Sequence, residues 1–159
     1  MTMNVGVAQN KTGAQLLELI VESRQNVILL EVAQPVATVD QLRLVARRSG
    51  QALYFWQAET GLLSLREGDM LVPGAKRLTD ALGFVRRSMH FGIYLIDAGI
   101  ELMRPQDLAL LLQIARLRDT PSRRVVIMAP QLPVQEKLEP LCLRLSVSAG
   151  DQSRPRLRD

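Results

Sequence analysis

The chain has 159 residues, the size of one compact domain, and 47% of them are hydrophobic, which excludes disorder as its main state. No apolar run reaches the roughly 18 residues of a membrane-spanning helix, so no membrane insertion is expected. The N-terminus lacks the pattern of a secretory signal, and a cytoplasmic protein is expected. One cysteine, Cys142, and one histidine, His90, exclude a disulfide framework and a Cys/His zinc site.

The pattern predicts its elements in chain order. Apolar residues from Leu16 to Val21 give a helix that follows Thr12-Gly13 and ends near Ser23. Residues 26–32 (NVILLEV) form a short, nearly continuous apolar run, the signature of a strand buried on both faces. Thr38 with Gln41 has the spacing of a capping box for a helix through Arg48, with Gly50 as its stop. Residues 52–56 (ALYFW) are a second strand, and Gly61 turns the chain into 62–65, a possible hairpin partner. A helix over 76–89 follows Pro73-Gly74 and precedes a third strand, 92–97 (GIYLID). A helix over 104–118 has Pro105 in its first turn. A fourth strand, 124–129, a short helix around Leu138 and Leu141, and a fifth strand, 143–147, complete the pattern. The expected organisation is an arm at 1–12, a domain at 13–148 and a basic tail at 149–159.

Strands alternating with helices imply an α/β domain, a five-stranded, mainly parallel sheet covered on both faces. Two strand orders fit. One is the flavodoxin or receiver order 2-1-3-4-5; the other is the P-loop NTPase core, in which the first and third strands flank the fourth.

Ligands in such sheets bind at the carboxyl ends of the strands. After the first strand the chain reads Val32-Ala33-Gln34-Pro35, without the glycines or the Lys-Ser/Thr pair of a phosphate-binding loop. Nucleotide hydrolysis by that route is therefore not expected, nor is any cofactor. The third strand ends in Asp97 and resembles a Walker B strand, with Ala98 where a water-activating acid would stand. Asp97 reads either as a structural residue capping the next turn or, with Glu31, as the remnant of a nucleotide or ion site. A receiver-type phosphorylation site needs an acidic pair, a Ser/Thr and a Lys. The corresponding strand ends offer only Glu31, Ala129-Pro130, and Arg144 with Ser146. His90 and Cys142 lie in no nucleophile motif, and Cys142 reads as core filler.

The formal net charge is +4 and the pI about 9.8, carried by 17 arginines against 3 lysines. Codon usage in a GC-rich genome or an anion-binding face would each produce that bias. Arginine clusters at Arg47-Arg48, Arg86-Arg87, Arg116 with Arg118, and Arg123-Arg124 fall largely at helix ends, where they complement the dipole. Arg86, Arg87, Arg116, Arg118 and Arg123 are the candidate interaction surface. Nucleic-acid association through the arginines is an alternative, less favoured because only six aromatics are present and four lie in strands.

The segments LLELIVESR, NVILLEV, ALYFWQAETGL, GIYLIDAG and VVIMAP, in this order, resemble the N-terminal half of the AAA-family ATPases encoded as a conserved reading frame in cyanobacteria and algal plastids. The aromatic strand with Trp56 five residues before Gly61 is the most distinctive match, and the likeness runs from Gly13 to Val147. It implies a degenerate P-loop NTPase-like fold and favours that strand order over the receiver order. It also implies that the phosphate loop, arginine finger and helical lid of an AAA+ module lie outside this pattern. The expected function is a non-catalytic protein-interaction or regulatory module, its partner an AAA+ ATPase or a second copy. The alternative is a sensor that binds a nucleotide or phosphorylated anion without hydrolysis.

Overall fold

Residues 2–5, 9–66, 68–118 and 123–147 are described by a computed structural model. The basic tail expected at 149–159 lies outside them. The five apolar runs become β2 (Val27–Glu31), β3 (Leu53–Gln57), β6 (Gly92–Asp97), β7 (Arg123–Ala129) and β8 (Cys142–Val147). Among the described residues three further strands correct the expected count of five to eight in one sheet: β1 (Thr2–Val5), β4 (Gly61–Ser64), which is the hairpin partner read at 62–65, and β5 (Met70–Leu71). β5 has only two residues, both exposed, so it leaves no apolar pattern to read.

The order across the sheet is β1-β8-β2-β7-β6-β3-β4-β5. Neighbours from β1 to β3 pair in parallel, and the β3-β4-β5 end is antiparallel. The first and third of the five long strands, β2 and β6, flank the fourth, β7. This is the P-loop NTPase arrangement, and it excludes the receiver order, in which the first strand would lie between the second and third.

Among the described residues four helices cover the sheet: α1 (Gln9–Glu22), α2 (Pro35–Ser49), α3 (Leu78–Arg87) and α4 (Pro105–Arg116). Alternation of side chains along each strand sends one set to each face. Ile28, Leu30, Leu95, Val126 and Met128 pack under Leu16 and Ile20 of α1 and Val39 and Leu42 of α2. Leu29, Tyr94, Ile96, Val125 and Ile127 pack under Leu82 and Val85 of α3 and Leu111 and Ile114 of α4. β7 is buried along all seven residues, as a central strand with helices on both faces must be.

α1 begins at Gln9, before the expected Thr12-Gly13 boundary. α2 begins at Pro35, with Gln34 as its cap and Pro35 in the first turn. Thr38 is buried inside the helix and its N–H donates to the Gln34 carbonyl at 3.2 Å, so the expected capping box does not form. Pro35 has no N–H to satisfy and a φ already suited to the first turn, so it sets the start ahead of Thr38. Gly50 ends α2 as expected, at φ +74°. The short helix expected near Leu138 is a 3-10 turn, Glu139–Leu141.

The most distinctive sequence feature, ALYFWQAETGL, is a clasp. β3 and β4 form a hairpin, and the Trp56 indole N–H donates to the Lys76 carbonyl at 2.9 Å. Gly61 takes φ +84°, and a Cβ there would lie 2.9 Å from the Lys76 Cα. The Leu62 N–H donates to the Ala75 carbonyl at 3.0 Å. Only glycine combines that backbone angle with so close an approach.

Candidate functional site

In a parallel sheet with helical crossovers, each helix returns antiparallel to the strands. The strand carboxyl ends therefore form one edge, and the helix carboxyl ends gather at the other. The first edge is where a P-loop NTPase binds nucleotide. Here β2 passes to α2 through three residues, Val32, Ala33 and Gln34. A phosphate loop needs several glycine-rich residues to wrap a phosphate in N–H groups. This connection is too short for that, and Pro35 deletes one donor.

Glu31 ends β2 on the α3/α4 face, following Val27 and Leu29. Its Oε2 accepts from the Leu132 N–H at 3.0 Å and from Arg144 Nη1 at 3.1 Å. Arg144 of β8, whose side chain is 12% exposed, also donates Nε and Nη2 to the Glu139 carboxylate at 2.6 and 3.0 Å. The guanidinium hydrogen bond holds the Glu139 carboxyl below its ordinary pKa, and Glu139 in turn raises that of Arg144. Glu31 thus fastens the loop after β7 and bridges to β8.

Asp97 ends β6 on the opposite, α1/α2 face, following Ile93 and Leu95. It is half-buried, and its Oδ2 accepts from Gln57 Nε2 of β3 at 3.2 Å. That bond ties two strand ends together, in place of the expected cap on the following turn. The two carboxylates singled out from the sequence therefore leave opposite faces of the sheet with β7 between them. They do not converge. Among the described residues no three of His, Cys, Asp and Glu gather as a metal site.

The same edge exposes apolar side chains. Val36 after β2, Leu102 after β6 and Val134 after β7 are 50%, 78% and 72% exposed. They follow three strands that are neighbours in the sheet. Nothing in the sequence marks them: Val36 is in the first turn of α2, Leu102 ends a 3-10 turn and Val134 follows Pro133, and no spacing links the three.

The arginines divide into two kinds. Arg47, Arg48, Arg86, Arg87 and Arg116 are exposed in the last turns of α2, α3 and α4, all at the helix-carboxyl edge. Arg118 is exposed beside them, and its Nη1 donates to the Ala115 and Leu117 carbonyls at 3.3 and 3.1 Å. Arg123 and Arg124 are buried. Arg123 Nη2 donates to the Ser88 carbonyl at 2.8 Å, so it takes no part in an exposed basic surface. Arg124 closes the end of α1 with bonds to the carbonyls of Ile20, Val21 and Ser23 at 2.9, 3.1 and 2.6 Å.

Asp107, another residue the sequence did not single out, is buried at the start of α4. It accepts from the Arg104 N–H at 3.0 Å and from Thr79 Oγ1 of α3 at 2.6 Å. An acid in the third helical position after Arg104-Pro105 is a readable helix-start signal, but its link to Thr79 is not readable. His90 is exposed in the turn before β6. Cys142 is buried, and burial, with the Glu139 charge adding to it, pushes its thiol up to about 12, so it stays protonated at neutral pH.

No described helix is long and apolar enough to cross a membrane. No curated protein and no solved structure matches the chain. Residues 13–147 match the family model described as SpoVK-like AAA ATPase, N-terminal domain. That span coincides with the likeness read from the sequence and takes in every strand from β2 to β8. The P-loop-like strand order and the family match agree, and the chain belongs to the SpoVK-like AAA ATPase N-terminal domain family.

Proposed function

We propose that this chain is a non-catalytic, degenerate P-loop-like module that docks a protein through the edge where an NTPase would bind nucleotide. One observation carries the reading: where a phosphate loop should stand, the β2–α2 connection has only three residues, Val32 to Gln34, and runs straight into Pro35 of α2. Glu31 is held by Arg144 and Leu132, and Asp97 by Gln57, so neither carboxylate is held ready for magnesium. Val36, Leu102 and Val134 supply apolar contact area on the same edge. The family points to the partner, an AAA+ ATPase module, with self-association as the other arrangement.

Sedimentation of the chain alone, and mixed with an AAA+ module from the same organism, tests this. A complex should form and weaken at least about tenfold in the triple variant Val36→Ser, Leu102→Ser, Val134→Ser, given about 1 kcal/mol or more per buried apolar side chain. A chain that stays monomeric and binds no AAA+ module overturns the proposal.

A further inference from the structure

A second site lies at the opposite edge. A pocket of about 210 Å³ opens between the last turns of α2, the start of β3 and the end of β4. Arg43 and Arg47 approach it from α2 and Arg66 from the segment after β4, over a floor of Ala46, Leu53 and Leu65. The needs of the α2 dipole account for Arg47, in the last turn, but not for Arg66, which comes from another part of the chain.

The Arg43 side chain is 24% exposed, and one of its Nη atoms pairs with Asp69. Its Nε is buried and has no hydrogen-bond acceptor. Covered by protein atoms, that nitrogen is out of a ligand's reach, and Arg43 contributes its charge to the pocket. No acid among the described residues pairs with Arg47 or Arg66. Three guanidinium charges less the Asp69 carboxylate leave two positive charges.

We infer that this pocket binds a phosphate monoester. A phosphate monoester carries close to two negative charges at neutral pH and presents several acceptor oxygens, matching the residual charge and the guanidinium donors of Arg47 and Arg66 that line the pocket. A carboxylate would leave one positive charge uncompensated. The pocket is smaller than the roughly 300 Å³ at which sites for whole small molecules begin. It therefore holds the phosphate and the first carbons of its ester, against Leu53 and Leu65, and leaves the rest of the ligand outside. The inference does not rest on the docking reading, because the two sites occupy opposite edges of the sheet.

Calorimetric titration with inorganic phosphate, glycerol phosphate and a phosphoserine peptide, with acetate as the monoanion control, tests the site. The phosphate probes should bind, acetate at least about tenfold more weakly, and affinity should fall as salt rises. The double variant Arg47→Gln, Arg66→Gln should lose at least about tenfold, at the loss of two charge-assisted contacts. Both side chains are exposed, so its urea midpoint should match that of the parent chain. Tighter binding of the peptide identifies a protein-borne phosphate, and tighter binding of glycerol phosphate a free metabolite; each supports the site. No heat with any phosphate probe, acetate binding as well as phosphate, or undiminished binding by the double variant overturns it.

Discussion

Replacing Arg144 with methionine removes the hub that joins Glu31 to Glu139. Methionine keeps the apolar stem and deletes three charge-assisted hydrogen bonds, at 2.6, 3.0 and 3.1 Å. Breaking a fully buried pair costs about 3–5 kcal/mol, whereas exposed pairs contribute less than about 1. Here the arginine is 12% exposed, Glu139 25% and Glu31 37%, so the Glu139 contacts dominate and the Glu31 contact is largely screened. The expected loss at pH 7 is about 2 kcal/mol, or a melting point lower by about 4–8 °C.

The pH dependence follows from the depressed Glu139 carboxyl. In the unfolded chain this group titrates near its ordinary value of about 4.3. The stabilisation is complete above that pH and is lost as pH falls through the lower, folded value. Urea unfolding of parent and variant should therefore give curves about 2 kcal/mol apart at neutral pH that converge in acid. A gap that stays constant down to strongly acidic pH, or one below about 0.5 kcal/mol at pH 7, would mean that the Glu139 carboxylate contributes nothing to stability through Arg144.

Two glycines separate backbone strain from steric contact. Gly50→Ala at φ +74° has open space around it and should cost about 1 kcal/mol, whereas Gly61→Ala at φ +84° also collides with Lys76 and should cost about 2–3 kcal/mol. Equal urea midpoints for the two variants would show that the clasp yields without penalty. Arg124→Met should cost about 3 kcal/mol, because it strips the buried carbonyls at the end of α1 of their donors. A midpoint unchanged from the parent would mean that those carbonyls find other donors.

The sheet was legible wherever a strand was a long apolar run with a clear boundary. Gly92 and Asp97 bracket β6, and the sequence reading and the structure agree on both ends. The helix ends were legible where one residue sets them, as Gly50 and Pro105 do. Local signals failed where they competed. Thr38 has the right spacing for a cap, but Pro35, three residues earlier, already satisfies the geometry of a helix start. β5 was invisible because two exposed residues owe their strand conformation to β4.

The candidate site was legible in what the strand ends lack, and illegible in what fills them. Glu31 meets Arg144 across 113 positions, and Arg124 meets Ile20 across 104. No spacing rule reaches that far. The pair Arg123-Arg124 reads as surface charge because arginine is usually exposed. Its burial depends on the last carbonyls of α1 lying beside the start of β7. The arginine excess therefore has several origins: helix ends, a buried plug, a strand-end hub and a pocket.

As proposed above, the strand-carboxyl edge no longer serves nucleotide. Titration of the chain with ATP and magnesium, followed through its backbone amide resonances, tests it most directly. Residues 32–38 and 97–102 should keep their positions at saturating nucleotide, and any response should centre on Arg43, Gly50, Gln51 and Arg66 around the basic pocket. Magnesium-dependent shifts at residues 32–38 and at Asp97, accompanied by release of phosphate, would mean that this edge still binds and hydrolyses nucleotide.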